Sequence, residues 1–541
     1  MEEPTTLLNT RTHCRTPPLT GSGYPGATAR HHTHWDNDRQ PVPVKRSELD
    51  PPNYTTGNRT RATLIRSPAR YLETKEADVI GLTSTLSSVC VGAVEGWTAA
   101  GIPYLQQPRN ISENVTIAGI SYEEGSWIGS LSPLGSLVGA IPAGYLANRI
   151  GRRAILLILG IPMLLGWIMI IFADHSIPML YSARLILGFT CGVVTVASPL
   201  YTEEVADVSN RGALGIYMTI TFAVGVFYVY LVGAVLPYFW MSIASTITPV
   251  IFVLTFFWMP ESPIYLLTKD RVEDARKSLC WLRGVHLPIA ETEDEFREMQ
   301  SFVKGYQAKV SAPSNQSAYS NVRIFFKNFR TPATLKATCI IFGLMIFRQL
   351  CGEYAVLAYT VEMFSVSGSF LNPYTCTIIV GAIQVIAAYI PYYIVDRVGR
   401  RILLIVSGAG MGVSLLALVI RFYLVDKGVE ISLMGWVPLI AVNIYTIAYC
   451  VGFGPLPWFM MPELLNNDAK GWVSSLAVCF NWALAFVVTK FYPIMMHVLG
   501  SEITYGSFFV ICLLGTIFAI IFVPETVGKT REEIQIELSG K

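Results

Sequence analysis

Charge is the scarcest thing in this chain. Of its 541 residues only 14% are Asp, Glu, Lys or Arg, against 52% hydrophobic, where a soluble domain carries about 25% charge. The net charge of +2 gives bulk electrostatics no purchase on nucleic acid, so no nucleic-acid partner is expected. The cysteines lack any C-x-x-C spacing, which argues against a zinc site or disulfide framework. Most, including Cys90, Cys191, Cys339, Cys376, Cys450, Cys479 and Cys512, sit in apolar runs as small packing residues. No nucleophile–base set, metal cluster or phosphate loop is recognisable, and His175, His286 and His497 stand alone. An enzyme is therefore not expected, and neither cofactor nor metal is called for. No apolar segment follows Met1, so no cleavable signal peptide is expected.

What the chain has instead is long apolar runs, with a mean hydropathy of +0.46. They fall at 79–105, 125–147, 154–173, 179–201, 213–236, 239–259, 335–364, 374–395, 402–425, 434–461, 471–497 and 503–523. About 20 apolar residues suffice to cross a hydrocarbon core as a helix. The expectation is an all-α membrane protein with twelve transmembrane helices in two six-helix groups, 79–259 and 335–523. A polar, Pro-, Thr- and Arg-rich head at 1–78 is expected to be disordered. The polar stretch 260–334 is expected to be a linker with short surface helices near Val272–Lys309, and 524–541 a charged tail.

Lys and Arg in short loops set orientation. Arg149, Arg152, Arg153, Arg211, Arg397, Arg400, Arg401 and Lys470 all fall on one side, which is therefore expected to be cytoplasmic with both termini. Sequons at Asn110 and Asn114 then lie outside and are candidates for glycosylation, whereas Asn53, Asn58 and Asn315 lie inside. A multi-pass plasma-membrane protein is the expectation.

The two groups repeat one another. NRIGRR at 148–153 recurs as DRVGRR at 396–401. Glu204 with Arg211-Gly212 recurs as Glu463 with Lys470-Gly471, and PESP at 260–263 recurs as PETVGKT at 524–530. The offsets, 248, 259 and 264, are nearly equal. Parallel repeats about an axis along the membrane normal are a transporter architecture with a site between the halves, exposed alternately to each side. Glu204 and Glu463, set near Arg149, Arg153, Arg397 and Arg401 and seven residues before Arg211 and Lys470, are expected to latch the halves together by ion pairing. The plainer alternative is that these cations only set topology.

These residues resemble a sugar porter of the major facilitator superfamily, most like the insect facilitated trehalose transporters. The resemblance covers 79–535 and rests on Gly144–Arg153, Arg184 with Gly188, Pro199-Leu200-Tyr201 with Glu204, PESP, Asp396–Arg401, Gly452–Trp458 with Glu463, Asn481-Trp482 and PETVGKT. It implies transport of a hexose or a disaccharide such as trehalose, by facilitated diffusion and by a functional monomer. It also implies that Gln349, Gln384, Trp458, Asn481 and Trp482, with Tyr354, face the sugar. Amides that both donate and accept, with an indole platform, suit hydroxyls and flat C–H faces. Tryptophan can also be an interfacial anchor and a buried Asn mere interhelical glue. Pro455 and Pro457 beside Gly452 and Gly454 are expected to break the tenth span into a flexible segment.

Departures from the pattern matter. The seventh span reads Arg348-Gln349-Leu350-Cys351-Gly352-Glu353-Tyr354-Ala355. Arg348 replaces an amide and Tyr354 an Asn that the family places there, and Thr219 stands where many members have Gln. In the first span Val94, not Asp, follows Gly92 by two residues, which resembles a passive facilitator, yet Glu95 comes next. An ionisable group at membrane depth is a functional hypothesis by default. Glu95, Arg184, Arg348 and Glu353 are therefore expected either to pair, for example Arg348 with Glu95 or Glu353 at an outer gate, or to bind a proton or a charged solute. Two alternatives to a passive sugar carrier follow: a proton-coupled or altered-substrate transporter using Glu95 or Glu353, and a transporter-like nutrient sensor.

Overall fold

The computed structural model describes residues 68–112, 115–117, 119–173, 176–206, 211–285, 290–311, 331–428 and 435–539. Residues 1–67, with Asn53 and Asn58, and Asn114, His175, His286 and Asn315 lie outside the described residues.

The first half comprises α1 (Pro68–Gln106), α2 (Tyr122–Ile150), α3 (Arg152–Phe172), α4 (Ile177–Val205), α5 (Arg211–Val235) and α6 (Tyr238–Phe256). The loop after α1 holds a short antiparallel hairpin, β1 (Arg109–Ser112) and β2 (Val115–Ile117), with Asn110 opposite Thr116. Among the described residues it is a local exception to helix. Three short helices follow: α7 (Pro263–Thr268), α8 (Val272–Leu282) and α9 (Ala290–Ser311). They bury their own small apolar cluster, including Tyr265, Leu266, Leu279, Phe296 and Val303.

In the second half three spans are broken. α10 (Pro332–Leu350) continues as α11 (Glu353–Ser367), and α12 (Pro373–Ala387) as α13 (Ile390–Val398) with a 45° bend. α14 (Arg400–Asp426) is continuous, whereas α15 (Val437–Val451) and α16 (Leu456–Leu464) are parted at Gly452–Pro455. α17 (Asn467–Val498) and α18 (Gly500–Phe522) complete the half, and α19 (Arg531–Ser539) forms the tail. Thr530 and Glu533 cap α19 reciprocally, and the Thr530 N–H holds the Glu533 carboxyl below its usual range.

Among the described residues nine helical stretches are long and apolar enough to cross a membrane, ten with the bent α12–α13 pair. α1 and α2 make twelve. α2 is less apolar because one face is Gly and Ser packed against α4 rather than facing lipid. A Cβ at Gly188 or Gly192 of α4 would lie 2.1 and 2.0 Å from the backbone oxygens of Ser132 and Ser136. Only glycine permits that backbone approach, which is how membrane helices pack where apolarity gives no preference for neighbour over lipid.

The halves repeat in packing as in sequence. α1 packs on α5 as α10–α11 packs on α17; α2 packs on α4 as α12–α13 packs on α15; α3 packs on α6 as α14 packs on α18. The halves meet through α2 against α17, α5 against α12, and α1 against α11. Tyr354 of α11 and Trp482 of α17 pack with Ala140 of α2 between the halves.

Candidate transport site between two helical halves

Two clusters occupy the arginine loops, one in each half. Gly151 turns between α2 and α3 at φ +121°, and Gly399 between α13 and α14 at φ +100°. The turn frees backbone N–H groups at the next helix start, where a carboxylate is the natural partner. Glu261 takes the N–H groups of Arg152 and Arg153 at 3.0 and 2.9 Å. Glu525 takes those of Arg400 and Arg401 at 2.9 and 3.1 Å. The side chain of Arg152 pairs with Glu204 at 3.0 Å, and Arg400 with Glu463 at 3.3 Å. Ser262 donates to Glu204 and Thr526 to Glu463 at 2.5 and 2.7 Å. The PESP and PETVGKT motifs thus supply a cap and a hydroxyl to each cluster.

These ion pairs lie within a half and do not cross between halves. The cations expected to latch Glu204 and Glu463 face elsewhere. Arg153 donates to Phe257 O at 2.6 Å, Arg401 to Ile520 O, and Arg149 to the Tyr145 hydroxyl at 3.2 Å. A residue one step along a helix points about 100° away, so only the first arginine of each RR pair reaches its glutamate. Arg397 and Lys470 form no ion pair among the described residues, and Arg211 opens α5. Arg152 and Arg400 hold the positions that the spacing had suggested for their neighbours.

The midpoint layer lies where two helices break. Cys351-Gly352, with Gly352 at φ +99°, separates α10 from α11. Gln349 is fully buried and donates to Asn481 Oδ1 at 2.8 Å, and Arg348 donates to the same oxygen at 2.9 Å. Arg348 Nε also donates to Gly454 O at 3.2 Å, a carbonyl that the break before α16 frees from the helix ladder. The guanidinium stands over the rings of Trp458 and Tyr449, 5.3 and 5.9 Å from their centroids. Trp482 meets Tyr354 edge to face at 5.9 Å. The expected residues Gln349, Asn481, Trp458, Trp482 and Tyr354 are brought together. Gln384 is buried on α12 but joins this set through no hydrogen bond among the described residues, and Thr219 lies on α5.

The four membrane-depth charges do not pair as expected. Arg184 is fully buried and donates to Val94 O at 2.7 Å and Ile128 O at 3.2 Å, with its plane over Trp97. Glu95, 3% exposed, accepts from Ser132 at 2.8 Å. Glu353 is 5% exposed and one carboxyl oxygen has no partner. No ion pair within 4.0 Å joins Arg348 to Glu95 or Glu353 among the described residues. Arg348 reaches neutral acceptors because the two helix breaks put Gly454 O and Asn481 beside it.

The end far from the arginine loops is closed by residues that no motif marks. Lys490 of α17 donates to Ser126 of α2 at 2.7 Å. Beside it, Trp127 meets Phe486 at 6.4 Å and Tyr122 meets His497 at 5.6 Å. Tyr230 of α5 donates to Leu357 O of α11 at 2.8 Å. Near the other end Phe459 of α16 sits against Gly215 of α5. The halves touch on both sides of the Arg348 layer. Lys490 escaped the sequence reading because it has no counterpart in the repeat and lies in a run ending in ordinary apolar residues.

Residues 85–538 match the family model described as sugar (and other) transporter. The facilitated trehalose transporter Tret1 of Bombyx mori is 35% identical over 456 residues, 84% of this chain and 85% of its own length. Tret1 of Aedes aegypti is 33% identical over 460 residues; the chain spans about half of that relative, 55% of its length. Among solved structures, the proton:xylose symporter XylE bound to 6-bromo-6-deoxy-D-glucose superposes with a TM-score of 0.67 at 22% identity, covering 86% of this chain and 100% of that one. At that identity the likeness speaks for the fold.

Proposed function

We propose a function from one premise: the chain belongs to the sugar (and other) transporter family, whose members are membrane carriers. We infer that it moves a hexose- or disaccharide-sized sugar through the midpoint layer by alternating access and facilitated diffusion, as a carrier and not an enzyme. The names of its trehalose-transporting relatives make trehalose the first neutral candidate. The observation that carries this reading is the convergence of Gln349, Asn481, Trp458 and Trp482 beside two helix breaks. Broken helices line binding sites because their freed backbone groups and loosened ladders can follow a substrate.

The arginine-loop clusters support a rocking motion in a form different from a latch. Each ties helices of its own half into one body, so each half moves as a unit. In this reading the arginine loops are cytoplasmic, the Lys490 end faces outward at the plasma membrane, and one chain suffices. The test is saturable uptake of labelled glucose and trehalose by the purified full chain in liposomes; absence of saturable flux for every sugar tried would sink it.

A second reading has one observation in its favour. Glu95 lies buried in the first half with a hydroxyl as its hydrogen-bond partner, the setting of a group that could load and release a proton. Uptake driven by an imposed proton gradient and lost in Glu95→Gln would select it over passive diffusion.

A further inference from the structure

Arg348 is placed by the last turn of α10, where a cation complements the carbonyl end of the helix. Its Nε and one terminal nitrogen are held by two neutral oxygens, Gly454 O and Asn481 Oδ1. Its other terminal nitrogen takes no partner among the described residues, and the side chain is only partly buried. No carboxylate lies within 4.0 Å of it there. Glu353 opens α11 directly after the break, in the second half near Tyr445, Tyr449 and Cys450, and forms no ion pair within 4.0 Å with the guanidinium among the described residues. The midpoint layer therefore presents a guanidinium whose hydrogen-bond partners are neutral and whose second terminal nitrogen is open.

That arrangement discriminates between solutes. Asn481 Oδ1 already accepts from both Gln349 and Arg348, so that oxygen has little acceptor capacity left for sugar hydroxyls. A neutral sugar leaves the open side of the guanidinium without a charged hydrogen-bond partner. A carboxylate takes the open side of the guanidinium in a charge-assisted, two-oxygen geometry that arginine favours over every other side chain. The rings of Trp458 and Tyr449 flank the same guanidinium and offer flat surfaces to the C–H face of a pyranose. One charge on the protein matches one charge on the solute.

We propose that the preferred solute is a hexose-sized sugar bearing a single carboxylate, a sugar acid of the hexuronate class, and that Arg348 sets this preference over neutral sugars. The inference rests on the carrier reading above and narrows its substrate. Transport of such a solute moves a negative charge, so uptake should accelerate when the liposome interior is made positive.

The test uses the full chain, as wild type and Arg348→Gln, in liposomes, with labelled D-glucuronate, D-glucose, trehalose and L-lactate. The expected result is saturable glucuronate uptake at least tenfold faster than glucose, faster than lactate, and stimulated by an inside-positive potential. Arg348→Gln should invert the order of glucuronate and glucose. Equal handling of glucose and glucuronate by both proteins overturns the inference and leaves the carrier reading standing. Lactate moving as fast as glucuronate overturns the sugar part of it. No flux of any of the four through either protein, each eluting as a single folded species, overturns both. Should Arg348→Gln fail to fold, wild-type thermal stability decides: a melting temperature raised by glucuronate and not by glucose supports the inference, and the reverse overturns it.

Discussion

The ammonium of Lys490 lies 3.9 Å from the ring centroid of Trp127, and the two residues belong to opposite halves of the molecule. The same nitrogen donates to Ser126, so one side chain of α17 holds two neighbouring residues of α2. A desolvated cation–π contact contributes about 2 kcal/mol. Lys490→Met should shift the opening equilibrium at this end by about 30-fold toward the open form, since 1.4 kcal/mol is a factor of ten. Spin labels at positions 122 and 497, with exposed Cys339 replaced, should report a longer-distance population in the variant; an unchanged distance distribution would refute the clasp.

Trp458→Ala removes the ring beneath Arg348 and opens the midpoint layer. Uptake should fall at least tenfold with surface expression intact, because the contacts of the ring with Arg348, not the helix itself, are lost. Surface biotinylation beside uptake separates the two effects, and normal uptake would count against a site role.

The two arginine clusters should respond unequally to loss of charge. Arg152 and Glu204 expose only 9% and 14% of their side chains, whereas Glu463 exposes 30%. Removing one partner of a buried pair costs about 3 kcal/mol, and of a more exposed one about 1 kcal/mol. Glu204→Gln should therefore lower the melting temperature in detergent more than Glu463→Gln. Gly399→Ala should exceed the latter, because a Cβ there would stand 2.5 Å from Glu525 Oε2 at a positive φ. Equal shifts for all three would contradict this ranking.

Glu95→Gln keeps the hydrogen bond to Ser132 available while removing the charge. For a passive carrier, uptake in the variant should retain its insensitivity to an imposed pH gradient. Loss of gradient-driven uptake on this substitution alone would instead establish proton coupling.

Much of this architecture was legible in the residues. Twelve apolar runs and three paired motifs at similar offsets imply the twofold repeat, because a repeated polar motif at a helix junction must cap a repeated turn. The break before Trp458 followed from Gly and Pro, which remove ladder bonds whatever the surroundings. The amide–indole set was legible only through the family resemblance. Which arginine of each pair meets its glutamate depends on helix phase at the Gly151 and Gly399 turns, which composition does not reveal. The break at Cys351-Gly352 lies inside a run long enough for one continuous span, with no proline to mark it, and with it the placement of Arg348 went unseen. Lys490 reads in sequence as a stray charge near a helix end; only packing of α17 on α2 gives it a partner.

The central claim is that two rigid halves alternate about an Arg348 layer that holds a sugar. Counterflow measures this most directly: liposomes containing the full chain are loaded with unlabelled sugar and diluted into a trace of the labelled form. The account predicts a transient accumulation of label above its equilibrium level for D-glucuronate, absent in Trp458→Ala. Entry that rises only to equilibrium, with no overshoot for any sugar including glucose and trehalose, would contradict it.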